Sequence, residues 1–131
     1  MGRDKTTQTP EDLKDLVVKT LEEKKASDIH VIDVRGKSGL TDFIVVASGT
    51  SSRHVASLAE IMREALHKEK IKILSLEGQA QGEWVLMDLN DVVVHLFKPE
   101  ARAHYDLENL WKENDAALSQ TRRLLSADQK S

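Results

Sequence analysis

Residues 84–98 constrain the fold most. They run Trp-Val-Leu-Met-Asp-Leu, then Asn-Asp, then Val-Val-Val-His-Leu-Phe-Lys. Two apolar runs separated by two turn-forming residues predict a β-hairpin closing at Asn90-Asp91. That turn sets Leu89 opposite Val92, Leu86 opposite His95 and Trp84 opposite Phe97. Alternation then sorts the side chains onto two faces. Val85, Met87, Leu89, Val92, Val94 and Leu96 form a wholly apolar face that must pack on helices. Trp84, Leu86, Asp88, Val93, His95 and Phe97 form the other, with a carboxylate and an imidazole among large apolar groups. An unpaired buried charge is costly, so this second face has two readings. It is a partner-binding surface with Trp84 as an anchor, or a closing helix covers it while Asp88 and His95 satisfy each other or the backbone.

The rest of the chain supplies the helices. Thr9 can cap a helix, Pro10 suits its first position, and Glu11 and Asp12 meet the positive end of its dipole. Leu13, Leu16, Val17, Thr20 and Leu21 recur at helical spacing, and the helix is expected to end near Ala26. Strands are expected at 29–34 and 43–47, the second apolar throughout and so covered on both faces. Ser51 or Ser52 caps a second helix striped by Val55, Leu58, Ala59, Met62 and Leu66. A third strand is expected at 71–76, followed by EGQAQGE (77–83) as a flexible loop with a Gly near each end. After the hairpin, Pro99 ends the sheet, and 100–112 has helical spacing through Ala103, Leu107 and Leu110. The order α-β-β-α-β-β-β-α predicts an α/β domain with a mixed five-stranded sheet, since the crossover through the second helix permits parallel pairing. Residues 1–8 are expected to be disordered, 9–112 form the domain, and 113–131 form a mobile tail with a weak helical pattern.

Composition excludes several functions. With 131 residues, one sheet-and-helix core is the expected size. The chain has no Cys, which removes disulfides, thiolate catalysis and Cys-based metal sites. His30, His54, His67, His95 and His104 show no HxxxH or HExxH spacing, so no metal site is expected. GTSS (49–52) lacks the phosphate-loop pattern and reads as a cap. No G-x-S-x-G elbow is present. No catalytic residue and no cofactor are therefore assigned. The net charge is −3. Binding to bare nucleic acid normally needs a basic surface, and Arg35 with Lys37, or Arg122 with Arg123, makes too small a patch. A basic protein partner suits the charge better. No apolar run approaches the roughly 20 residues that span a bilayer, and MGRDKTTQTP has no apolar stretch of a signal peptide. A cytoplasmic location is expected.

Three blocks carry a resemblance: GKSGLTDFIVVASGTSSRHVASLAE (36–60), EGQAQGEWVLMDLNDVVVHLF (77–97), and the R-x-x-Y-x-L-E-x-L-W pattern at Arg102, Tyr105, Leu107, Glu108, Leu110 and Trp111. Over about residues 10–112 the chain resembles the ribosomal silencing factor, or Iojap-related, family, with the tail from 113 beyond the shared blocks. The resemblance implies a nucleotidyltransferase-like fold. It also implies binding to the large ribosomal subunit through the ribosomal protein numbered fourteen in the L series, on the face that meets the small subunit. Bound there, the factor blocks subunit joining and represses translation; organelle members act in large-subunit assembly. The paired-acid metal motif of nucleotidyltransferases is missing, because Asp42 has no acidic partner at 40 or 44. An enzyme using GTSS and Asp42 around a nucleotide and magnesium remains the alternative, and a homodimer closed by the hairpin face is compatible with the binding role. The resemblance favours the exposed reading of the second face, with Trp84, Asp88, His95 and Phe97 binding the partner and Arg102 and Tyr105 at its edge.

Overall fold

Thr9 marks the point at which the chain becomes helical. In the computed structural model, which describes residues 9–36, 41–80 and 82–101, its hydroxyl accepts the Asp12 backbone N–H at 3.0 Å. The Asp12 carboxylate in return accepts the Thr9 N–H at 3.4 Å. This reciprocal capping box satisfies two orphan donors of the first turn. The helix it starts, α1 (Pro10–Glu23), buries Leu13, Val17, Thr20 and Leu21. It stops short of the expected Ala26 because Lys25 turns into the left-handed region at φ 67°.

Two antiparallel strands follow, β1 (Ser27–Asp33) and β2 (Phe43–Ser48). Every residue of β2 is buried, as its unbroken apolar run requires. Ser51 caps α2 (Ser52–Lys68) by accepting the His54 N–H at 3.1 Å, and Val55, Leu58, Ala59, Met62 and Leu66 form the buried stripe. The third strand is shorter and later than its sequence pattern suggests: β3 spans only Ser75–Glu77. Lys70 takes a left-handed conformation (φ 60°), and the Ile71 N–H returns to the Leu66 carbonyl at 2.9 Å. Residues 71–73 are thus tied to the end of α2, and Ile71 and Ile73 pack on the core without strand pairing.

The hairpin is β4 (Trp84–Asp88) and β5 (Val92–Phe97), with Trp84 opposite Phe97 and Leu86 opposite His95, the register its turn residues dictate. Asn90 adopts φ 78°, a conformation Asn tolerates better than most residues, and its N–H is held by the Asp88 carboxylate at 2.9 Å.

The five strands form one sheet in the order β1-β2-β5-β4-β3. Among the described residues, one pair is parallel, β2 with β5, Phe43 beside Val92 through Ser48 beside Phe97. A parallel pair needs a long connection, and α2, β3 and β4 lie between these two strands in sequence. Both helices cover one face: Leu13, Val17, Leu21, Leu58, Met62 and Leu66 share a core with Val45, Ala47, Val85, Met87, Val94 and Leu96. The apolar hairpin face therefore lies where alternation put it. Residues 99–101 begin a helix after the sheet. The rest of the expected 100–112 helix, the first eight residues and the tail lie outside the described residues.

Candidate partner-binding face

The second sheet face gathers Ile44, Val46, Trp84, Leu86, Val93 and Phe97 into a separate cluster, with Val34 beside them and Ile32 and Ala101 packed against it. Trp84 is 3 % exposed, Asp88 8 %, and His95 and Phe97 0 %. The expectation of a solvent-facing Trp84 surface is thus corrected: these four side chains are inside the domain. The face is buried, and the polar atoms show why that is tolerable. The Trp84 indole N–H donates to His95 Nδ1 at 3.1 Å, and Asp88 holds the turn amide of Asn90. Asp88 and His95 do not pair with each other through these bonds; each uses a neighbour on its own hairpin.

The three rings form a ladder across the strands. Trp84 stacks on Phe97 at 5.2 Å between centroids and 26°, and Phe97 lies 6.0 Å and 12° from His95. Such pairs add to area burial and fix ring orientation. Because the indole can only donate, His95 Nδ1 must be the acceptor and the neutral ring carries its proton on Nε2. Complete burial pushes the His95 pKa down to about 3. Arg102 and Tyr105, expected at the edge of this face, lie outside the described residues.

The alternative chemistry finds little geometry. The GTSS segment is engaged internally: the Thr50 N–H donates to His54 Nδ1 at 2.9 Å, and His54 Nε2 reaches the Lys24 carbonyl at 3.2 Å. His54 therefore joins the start of α2 to the end of α1. The Asp42 backbone bonds the Asp91 carbonyl at 3.0 Å, beside the hairpin turn and not beside GTSS. Among the described residues, no three His, Asp or Glu side chains are grouped to hold a metal ion. Arg35 is committed to Asp33 at 2.7 Å and Glu11 at 3.2 Å, and the Asp33 carboxylate foremost holds its guanidinium pKa above the usual range.

Two close contacts were not legible beforehand. Gln79 and Gly82 of the EGQAQGE loop, which was expected to be flexible, lie against α2. Gly82 sits at φ 69° with so little room that a Cβ there would come within 2.4 Å of the Ser52 carbonyl oxygen. Gln79 reaches Glu60 at 3.4 Å, and Glu60 also pairs with Arg63. The glycine near each end signalled a flexible loop, and nothing in it named Ser52 as the neighbour.

A five-stranded mixed sheet with α1 and α2 on one face and an aromatic ladder on the other defines a small α/β domain. The chain belongs to the ribosomal silencing factor family: it matches the family described as "Ribosomal silencing factor during starvation" over residues 7–131, a span that includes the tail from 113. It is 36 % identical over 122 residues to the ribosomal silencing factor of Zymomonas mobilis, covering 91 % of this chain and 92 % of that one. It is 34 % identical over 100 residues to mouse "Mitochondrial assembly of ribosomal large subunit protein 1", covering 74 % of this chain and 44 % of the mouse protein. A crystal structure of a Chromobacterium violaceum protein superposes with a TM-score of 0.77 at 36 % identity, covering 81 % of this chain and 88 % of that one.

Proposed function

We propose that this protein binds the large ribosomal subunit through the ribosomal protein numbered fourteen in the L series, blocks joining of the small subunit, and so represses translation without catalysing a reaction. The observation that carries this reading is the family match over residues 7–131. The name of the mouse relative supports the large subunit as the target. It also favours a second reading, in which the bound factor assists large-subunit assembly. The formal charge of −3 suits a basic ribosomal protein better than bare RNA phosphates. Such a factor works in the compartment that holds its ribosomes, here taken as the cytoplasm, and needs no cofactor.

The partner region is proposed around Trp84, Asp88, His95, Phe97, Arg102 and Tyr105. With the first four buried, their part is to fix the sheet surface, while contact falls to the residues around them.

The test is a sucrose gradient of both ribosomal subunits mixed with excess protein. The expected result is protein travelling with the large subunit and a reduced joined-ribosome peak. An unchanged peak with no co-migrating protein would remove the proposal. Binding should also weaken less than the roughly thousandfold between 50 and 200 mM salt that several neutralised phosphates would impose. A thermal-shift scan with the four nucleoside triphosphates and magnesium addresses the enzyme alternative, which requires stabilisation by one of them.

A further inference from the structure

Among the described residues, the β3 end of the sheet carries a groove unrelated to the aromatic ladder. It lies between the C-terminal half of α2 and the segment leading into β3, with a volume of about 390 Å³. Ile71, Ile73 and Leu76 line it as half-buried aliphatic groups, and Arg63, His67 and Lys72 line it as exposed ones. No carboxylate is among the lining residues, although the chain has 22 acidic side chains against 19 basic ones. Residues 67–72, His-Lys-Glu-Lys-Ile-Lys, hold three Lys and one Glu. The groove is therefore a local reversal of the protein's acidic balance. Arg63 is oriented by Glu60 at 2.5 Å, and Glu60 is not part of the lining. Alongside runs β3, which pairs with β4 and is the last strand of the sheet among the described residues. Leu74, just before it, is 52 % exposed.

We propose that this groove docks an extended acidic peptide segment of a partner protein, one that places aliphatic side chains on Ile71, Ile73 and Leu76 and carboxylates against Arg63, His67 and Lys72. The charge of the rim selects an anionic partner. The aliphatic floor selects a peptide over a nucleic-acid strand, because a phosphate backbone would leave those groups without an apolar contact. An extended conformation follows from the neighbouring end strand, the usual place for strand-like peptide recognition. This site lies at the far end of the sheet from β1 and does not depend on the ribosomal reading.

The test uses the full chain and a fluorescein-labelled nonapeptide, Glu-Asp-Ile-Glu-Leu-Asp-Ile-Glu-Asp. Three comparison probes are the same peptide with Ser for each aliphatic residue, the same peptide with Lys for each acid, and a nine-nucleotide oligouridylate. Saturable anisotropy is expected for the first peptide only, with amide shifts in the ¹⁵N-labelled protein confined to residues 63–76. Lys72→Glu, at an exposed rim position, should weaken binding by roughly five- to tenfold and leave the unfolding midpoint unchanged. No saturable binding of the acidic peptide, equal binding of its Ser counterpart, shifts centred elsewhere, or binding of oligouridylate in place of the peptide would each overturn the proposal.

Discussion

His95 offers the sharpest test of the covered sheet face. Its ring is fully buried and accepts the Trp84 indole N–H at Nδ1, the position where a second proton would have to go. Burial holds its folded-state pKa at about 3, against an ordinary value of 6.5. As the pH falls, the unfolded chain therefore takes up this proton well before the folded one does. The stability contributed is complete above about pH 6.5 and is lost progressively as the pH falls from 6.5 toward 3. Each pH unit in that window is worth about 1.4 kcal/mol, so roughly 2 kcal/mol disappears between pH 7 and pH 5. The control is His95→Asn, whose side-chain oxygen can still accept from Trp84 but cannot titrate. Urea unfolding of both proteins at pH 7, 6 and 5 reads the difference in slope. All other groups are common to both proteins, so the difference isolates position 95. The wild type should lose about 2 kcal/mol more than the variant over this range. Equal slopes would mean that the imidazole becomes protonated inside the fold and that the face is wetter than its burial indicates.

Three further outcomes follow from particular contacts. Gly82→Ala forces a Cβ toward the Ser52 carbonyl oxygen at a left-handed φ of 69°; it should cost on the order of 2–3 kcal/mol in urea unfolding, and a neutral result would show that the loop does not rest on α2. Trp84→Ala empties a site that is 3 % exposed and should cost about 3–5 kcal/mol of folding stability; paired with the variant's affinity for the isolated large-subunit protein, measured where it is still folded, it separates a folding role from a contact role. Thr9→Ala breaks the capping box of α1 and should cost about 1 kcal/mol, read as a lower thermal midpoint with the aromatic ladder's near-ultraviolet circular dichroism unchanged.

Much of this architecture could be read from local pattern. The cap at Thr9, the apolar run of β2, the stripe of α2 and the hairpin register each depend on residues within a turn or a strand of one another. The third strand was less legible. Ile71 and Ile73 have the composition of a strand, yet a left-handed turn at Lys70 ties them to α2 and defers pairing until Ser75. The candidate site was legible in part. Alternation correctly grouped Trp84, Asp88, His95 and Phe97 on one face, but it left both readings of that face open, and the family resemblance favoured the exposed one. The indole-to-imidazole bond that makes their burial tolerable joins two strands and depends on ring orientation.

The sequence by itself determined the element order, the family and which hairpin side chains share a face, because capping, periodicity and turn chemistry act over a few residues. Tertiary structure alone decided that β2 lies parallel to β5 across the intervening α2, β3 and β4, that Gly82 meets Ser52, and that His54 joins the ends of α1 and α2. It also decided that the second sheet face is buried. Those outcomes depend on contacts between residues far apart in the chain, and alternation specifies which side chains face together but not what packs over them.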